Sequence, residues 1–171
     1  MNVNLGGETG TAVERLATEY NALRAEIVQR IGLRQQTLSI ALTIAGVFLG
    51  IGVTRDTVAL VYPPLATFLA IAWAQNDLRI KHAATYIREH LEVATPHLGW
   101  ETHVNERREE TRGQAFRLVI LSHGGIFIFS QIVAIGVGLL NFAYRPVEWA
   151  LLAIDGLAVV TVVWITRWVR R

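Results

Sequence analysis

The sequence predicts an all-α fold, an integral membrane four-helix bundle whose helices extend into the cytoplasm. Three observations predict it. The apolar residues fall in four long runs, the basic residues gather in every second segment outside those runs, and helical apolar stripes continue beyond the run ends. Hydrophobic residues make up 52% of the 171 residues, and the mean hydropathy of +0.36 suits a lipid-facing surface better than a solvated one.

The first 34 residues form a cytoplasmic amphipathic helix. Val13, Leu16, Tyr20, Leu23 and Ile27 recur every three or four positions, with Glu14, Arg15, Glu19, Arg24 and Glu26 between them. Such a stripe requires a partner: other helices of the same chain, a second copy in a coiled coil, or a lipid surface. Residues 35–75 hold transmembrane helices one and two. An uncharged stretch of about 20 residues separates Arg34 from Arg55, and a second fills 57–76 before Asp77. Pro63 and Pro64 fall near the start of the second span, where missing N–H groups cost least and a bend is expected.

Residues 76–115 read as a cytoplasmic helical hairpin. Leu78, Ile80, Ala84, Ile87 and Leu91 carry a stripe on from span two, Thr95, Pro96 and Gly99 break it, and a highly charged helix follows from 101 to 114. Residues 116–171 supply transmembrane helices three and four with a short basic tail. The third run, 118–144, carries only His123, and the fourth, 147–169, carries Asp155 well inside it.

Loop charge orients the chain. Arg15, Arg24, Arg30 and Arg34, then seven basic residues between Arg79 and Arg117, then Arg167, Arg170 and Arg171, all belong on one side. The two short turns hold only Arg55 and Arg145, so both termini are expected in the cytoplasm. Tyr62, Tyr144 and Trp149 fall near the outer interface and Trp73, Trp164 and Trp168 near the inner one. The first 34 residues are too polar for a secretory leader. The chain contains no cysteine, which removes disulfides, thiolate metal sites and cysteine nucleophiles. A pI near 9.4 does not suggest nucleic acid, because the arginines surround the spans instead of forming one basic domain.

Asp155 is the most informative residue. A carboxylate inside a span costs several kcal/mol unless it faces the bundle interior and finds a partner or a proton. Counting about 1.5 Å per residue from the outer ends puts Thr43, Thr67, Gln131 and Asp155 at one depth, roughly 13 to 18 Å in. One polar group per helix meets one level, either as a polar constriction lining an ion path or as a hydrogen-bond cluster that sets helix register. Gly46 and Gly50 form a GxxxG pair, and Gly136 and Gly138 offer small residues on span three, suited to close helix packing within or between chains.

At the inner mouth of span two, Asn76, Asp77, Arg79, His82, Tyr86 and Arg88 form the densest polar group. They suit either a ligand or partner site or a belt of snorkelling charges. His82, His90, His97 and His103 match no helical metal-ligand spacing, so no metal and no cofactor is expected. No nucleophile elbow, phosphate loop or second intramembrane aspartate suggests catalysis, and a non-enzyme is expected.

The stretches 26–36 (EIVQRIGLRQQ), 62–80 (YPPLATFLAIAWAQNDLRI), 86–92 (YIREHLE) and 99–101 (GWE) together resemble a group of small, uncharacterised bacterial inner-membrane proteins with four predicted spans. The resemblance implies a bacterial plasma membrane location and a four-span plan, and brings no activity. By architecture alone, the chain is similar to multi-span effectors that disrupt membranes in phage defence. The expected function is an oligomeric pore-forming or membrane-perturbing effector, gated by its cytoplasmic helices, with the lipid bilayer and further copies of itself as partners. The alternatives are a membrane-anchored adaptor for a cytoplasmic protein and a lipid-acting enzyme.

Overall fold

The computed structural model describes residues 5–94, 99–110, 123–140 and 142–168. All regular structure among them is helical: α1 (Leu5–Gly52), α2 (Asp56–Tyr86) with a π-helical turn (Ile87–Glu92) continuing it, α3 (Trp100–Glu110), α4 (His123–Leu139) and α5 (Pro146–Trp168). α1, α2 and α5 each contain a stretch long and apolar enough to cross a membrane. α4 is equally apolar over its 17 described residues. The expected breaker at Thr95 and Pro96, the start of the third run and the tail arginines 170 and 171 lie outside the described residues.

α1 is one helix of 48 residues, about 70 Å long. The sequence suggested a boundary near residue 34, but nothing there stops a helix. Gly32 is the only weak helix former nearby, and one glycine costs only about 1 kcal/mol. α2 likewise runs unbroken through Pro63 and Pro64, which stand in its third turn.

α2 is the central element. It packs against α1 on one side and against α4 and α5 on the other. The α1–α2 turn needs only Val53, Thr54 and Arg55, and the two helices nearly touch beside it: a Cβ on Gly52 would stand 2.6 Å from the Ala59 Cβ. α4 and α5 close in a similar way at their other end, where a Cβ on Gly124 would meet Thr166. The main apolar cluster joins Ala41, Ala70, Trp73, Ala74, Phe127 and Val162 from four helices. A second joins Ala45, Tyr62, Ala66 and Ala134. Tyr62 and Trp73, expected at the interfaces, are therefore core residues, whereas Tyr144, Trp149, Trp164 and Trp168 are exposed.

At the other end of the long helices, Leu16, Tyr20, Leu23 and Ile27 of α1 pack on Ile80, Ala83, Ala84, Ile87 and Leu91. The N-terminal stripe thus finds its partner in the same chain, except at Val13, which is exposed. The π turn adds a residue to the helical repeat, and Leu91 and Glu92 are both buried there.

That turn also fastens α3. The Gly99 carbonyl accepts the first helical bond, from the His103 N–H, so Gly99 occupies the N-cap with no side chain to offer. Glu92 supplies the missing acceptor. Its carboxylate accepts the N–H of Glu101 (2.7 Å), the N–H of Thr102 (2.9 Å) and the hydroxyl of Thr102 (2.7 Å). Arg24 of α1 pairs with Glu101, joining three segments at one point. At the opposite end of the molecule, Glu148 caps α5 from its third position: its Oε2 accepts the N–H groups of Ala143 and Arg145, with Pro146 opening the helix. Between those two N–H groups, Tyr144 adopts the left-handed conformation (φ 59°).

Candidate functional site

The deepest polar groups meet between α2, α4 and α5. Only Glu148, Asp155, Ala158 and Val162 of α5 are buried, so a single narrow stripe faces the rest of the chain and Asp155 occupies it. Gln131 of α4 is equally enclosed. Its Nε2 donates to the Pro63 carbonyl (3.1 Å) and to the Thr67 hydroxyl (3.0 Å). A carbonyl can only accept, so the amide nitrogen must face Pro63 and the orientation of Oε1 follows. The Thr67 hydroxyl in turn lies 3.0 Å from the Pro63 carbonyl and 3.4 Å from the Ala158 carbonyl of α5. A further buried bond, from the Tyr62 hydroxyl to Ser130 Oγ (2.9 Å), lies beside this one.

Three buried oxygen atoms at this level have no hydrogen-bond partner among the described residues: both carboxyl oxygens of Asp155 and Oε1 of Gln131. Two backbone oxygens are altered as well. Pro63 and Pro64 carry no N–H, so the carbonyls of Ala59 and Leu60, both in fully enclosed residues, lose their helical donors. α2 and α5 run in the same direction and touch where Thr67 meets Ala158. Counting back three residues on each helix sets Asp155 level with Pro64.

No protein family matches this chain, and no curated protein or solved structure does either.

Of the four residues expected at one depth, the structure thus joins Gln131 and Thr67 directly and sets Asp155 one turn from their contact with α5. Thr43 stands apart: it is exposed, with its hydroxyl on the Ser39 carbonyl. Gly46, Gly50 and Gly136 are exposed, and a Cβ on any of them would meet nothing. Gly138 is buried. The close approaches are made instead at Gly52 and Gly124.

The six residues below span two do not converge. Asp77 turns to α1 and binds Arg34 (2.7 Å), with Lys81 at 3.7 Å. Asn76 donates to the Ala72 carbonyl of its own helix. Tyr86 donates to Glu19 of α1 (2.8 Å) and stacks on His90. Arg79 and His82 are exposed, and Arg88 pairs with its neighbour Glu89. Of the six, Asp77 and Tyr86 reach α1 and fasten α2 to it. No cluster of three His, Asp or Glu side chains that could hold a metal occurs among the described residues.

Sequence reasoning gave Arg24, Glu92 and Glu148 no part in joining or capping helices. The cap made by Glu148 is legible as a proline followed two residues later by glutamate. Nothing in the sequence links Glu92 to a helix start several residues away.

Proposed function

We propose that the chain is a four-span bundle in a bacterial plasma membrane, with both termini cytoplasmic, that self-associates and provides a gated path for ions. The observation that carries this reading is the enclosed Asp155 carboxyl with no hydrogen-bond partner among the described residues, one helical turn from the Gln131–Thr67 contact with α5. Placed within lipid, such groups are costly unless a partner, a proton or a cation satisfies them, and an exchangeable one is what an ion path supplies. Two further features support it. α1 and α2 each run without a break from the polar end, where α3 docks, to the level of Asp155 and beyond, so a displacement at that end reaches the polar level through rigid helices. Ser39, Thr43, Gly46 and Gly50 lie exposed on one face of α1, spaced four, three and four, which suits contact between small-residue faces of two copies.

Purified protein, its oligomer mass measured in mild detergent, should form a defined assembly and release ions from liposomes. Asp155→Asn should reduce flux at least several-fold with the mass unchanged. Wild-type protein that is monomeric and passes no ions would overturn the reading. A second reading, a membrane-anchored adaptor, is favoured by the exposed Val93 and Trp100 at the polar end. It predicts a captured protein partner whose binding fails on Trp100→Ala and survives Asp155→Asn.

A further inference from the structure

Asp155, Gln131 and the Pro63–Pro64 segment share a property that hydrogen bonding within the chain does not explain. Every group they leave over is an oxygen. The Asp155 carboxyl offers two, Gln131 offers Oε1, and the two prolines release the carbonyls of Ala59 and Leu60. Gln131 has already committed both amide hydrogens, to Pro63 and Thr67, and Thr67 has committed its one hydroxyl hydrogen to a carbonyl. The level is therefore short of hydrogens and rich in acceptors.

Among the described residues no side-chain cation relieves it. α2 carries no charged residue between Asp56 and Asp77, and α4 none after His123 at its far end. α1 has none between Arg34 and its C-terminus. On α5 the nearest charges are Glu148, two turns away and engaged in its cap, and Arg167, three turns the other way. Tyr62 is committed to Ser130. A bare carboxylate enclosed in this way would face the full cost of burying an unpaired charge. A proton would neutralise it and let the acid donate to one of the spare oxygens. An alkali-metal ion would neutralise it too, taking carboxyl, amide and backbone oxygens, the ligand types hard cations use.

We infer that Asp155 and Gln131, with the proline-released carbonyls of Ala59 and Leu60, form a binding site for one exchangeable monovalent cation, a proton or an alkali-metal ion. This deepens the proposed ion path and rests on its placement of α5 in the membrane. The prolines take a defined part: they expose backbone oxygen inside an apolar helix, as unwound segments of transport helices do.

The test is labelling with dicyclohexylcarbodiimide, an apolar reagent that partitions into lipid and adds to a carboxyl group in its acid form. The full chain in native membranes is treated with sodium chloride or choline chloride, then digested, and the adduct is located by mass spectrometry. An adduct on Asp155 is expected, absent from Asp155→Asn. If the ligand is a proton, labelling is indifferent to sodium and falls about tenfold per pH unit on the alkaline side, as the acid fraction does. If it is sodium, the salt protects Asp155, and Gln131→Leu, which removes the amide oxygen, weakens that protection. Absence of an Asp155 adduct anywhere between about pH 5 and 9, in membranes where the detergent-unfolded chain is labelled, overturns the site. An adduct without ion flux keeps the site and removes the path; flux that persists in Asp155→Asn, with no adduct in the wild type, removes the site and keeps the path.

Discussion

Replacing Glu92 by alanine should release α3 while leaving the rest of the molecule folded. The carboxylate makes three hydrogen bonds of 2.7 to 2.9 Å to Glu101 and Thr102, and Gly99 at the N-cap has no side chain to take its place. A bond to a charged group contributes about 1.5 to 3 kcal/mol, and an ordinary single-bond cap about 1. Thr102 is exposed, so water recovers part of its loss, whereas the Glu101 N–H is enclosed. A net loss of about 3 kcal/mol follows, or roughly a hundredfold in the undocking equilibrium of α3. Arg24 would still hold Glu101, but one ion pair with a third of the arginine side chain exposed contributes less than about 1 kcal/mol. The assay is hydrogen exchange on the full chain in detergent, read by mass spectrometry. Peptides covering 100–110 should exchange about a hundredfold faster, with 57–76 unchanged. Glu92→Gln keeps one neutral acceptor and should fall between. Gly99→Ser in the alanine background should restore part of the protection, because a Cβ at Gly99 meets nothing and the serine oxygen would cap the helix directly. Unchanged exchange in Glu92→Ala, or equal acceleration across all helices, would refute the reasoning.

Two other substitutions probe the opposite end. Gly52→Val should lower the thermal midpoint in detergent, since even its Cβ would stand 2.6 Å from the Ala59 Cβ, and forcing the α1–α2 hairpin apart costs about 1 to 3 kcal/mol. Gly46→Val, where a Cβ meets nothing, should leave the monomer's midpoint unchanged and serves as the control. Glu148→Ala strips the N–H groups of Ala143 and Arg145 of their acceptor and should cost about 1 to 2 kcal/mol. The result should appear as faster exchange confined to 142–150, and Glu148→Gln should recover about half of it.

Much of the helical plan was open to sequence reading because it rests on local rules. Runs of apolar residues bounded by Arg34, Arg55 and Asp77 mark helix segments without reference to any neighbour. The stripes Leu16–Tyr20–Leu23–Ile27 and Ile80–Ala84–Ile87–Leu91 have the spacing of faces that must be covered, and they cover one another. The Arg34–Asp77 pair was not read from the sequence, although both residues border apolar runs joined by a short turn. The resemblance drawn from 26–36 and 62–80 could point only to architecture, and no known protein supplied a function to set beside it.

By itself the sequence marked the chain as helical, with segments long and apolar enough to cross a membrane, and singled out Asp155 as a carboxylate that an apolar helix must turn inward. These follow from composition and period, which are properties of single segments. Tertiary structure decided which residues meet. Depth along a helix can be counted from its end, but facing depends on how each helix rotates against the others. Hence Gln131 meets Thr67 and Pro63 while Thr43, counted to the same depth, points outward. The same rotation leaves Gly46 and Gly50 bare, brings Gly52 against Ala59, and carries Glu92 to the start of α3. Residues distant in sequence share a site only after the helices pack, because side-chain contact is a property of pairs of surfaces.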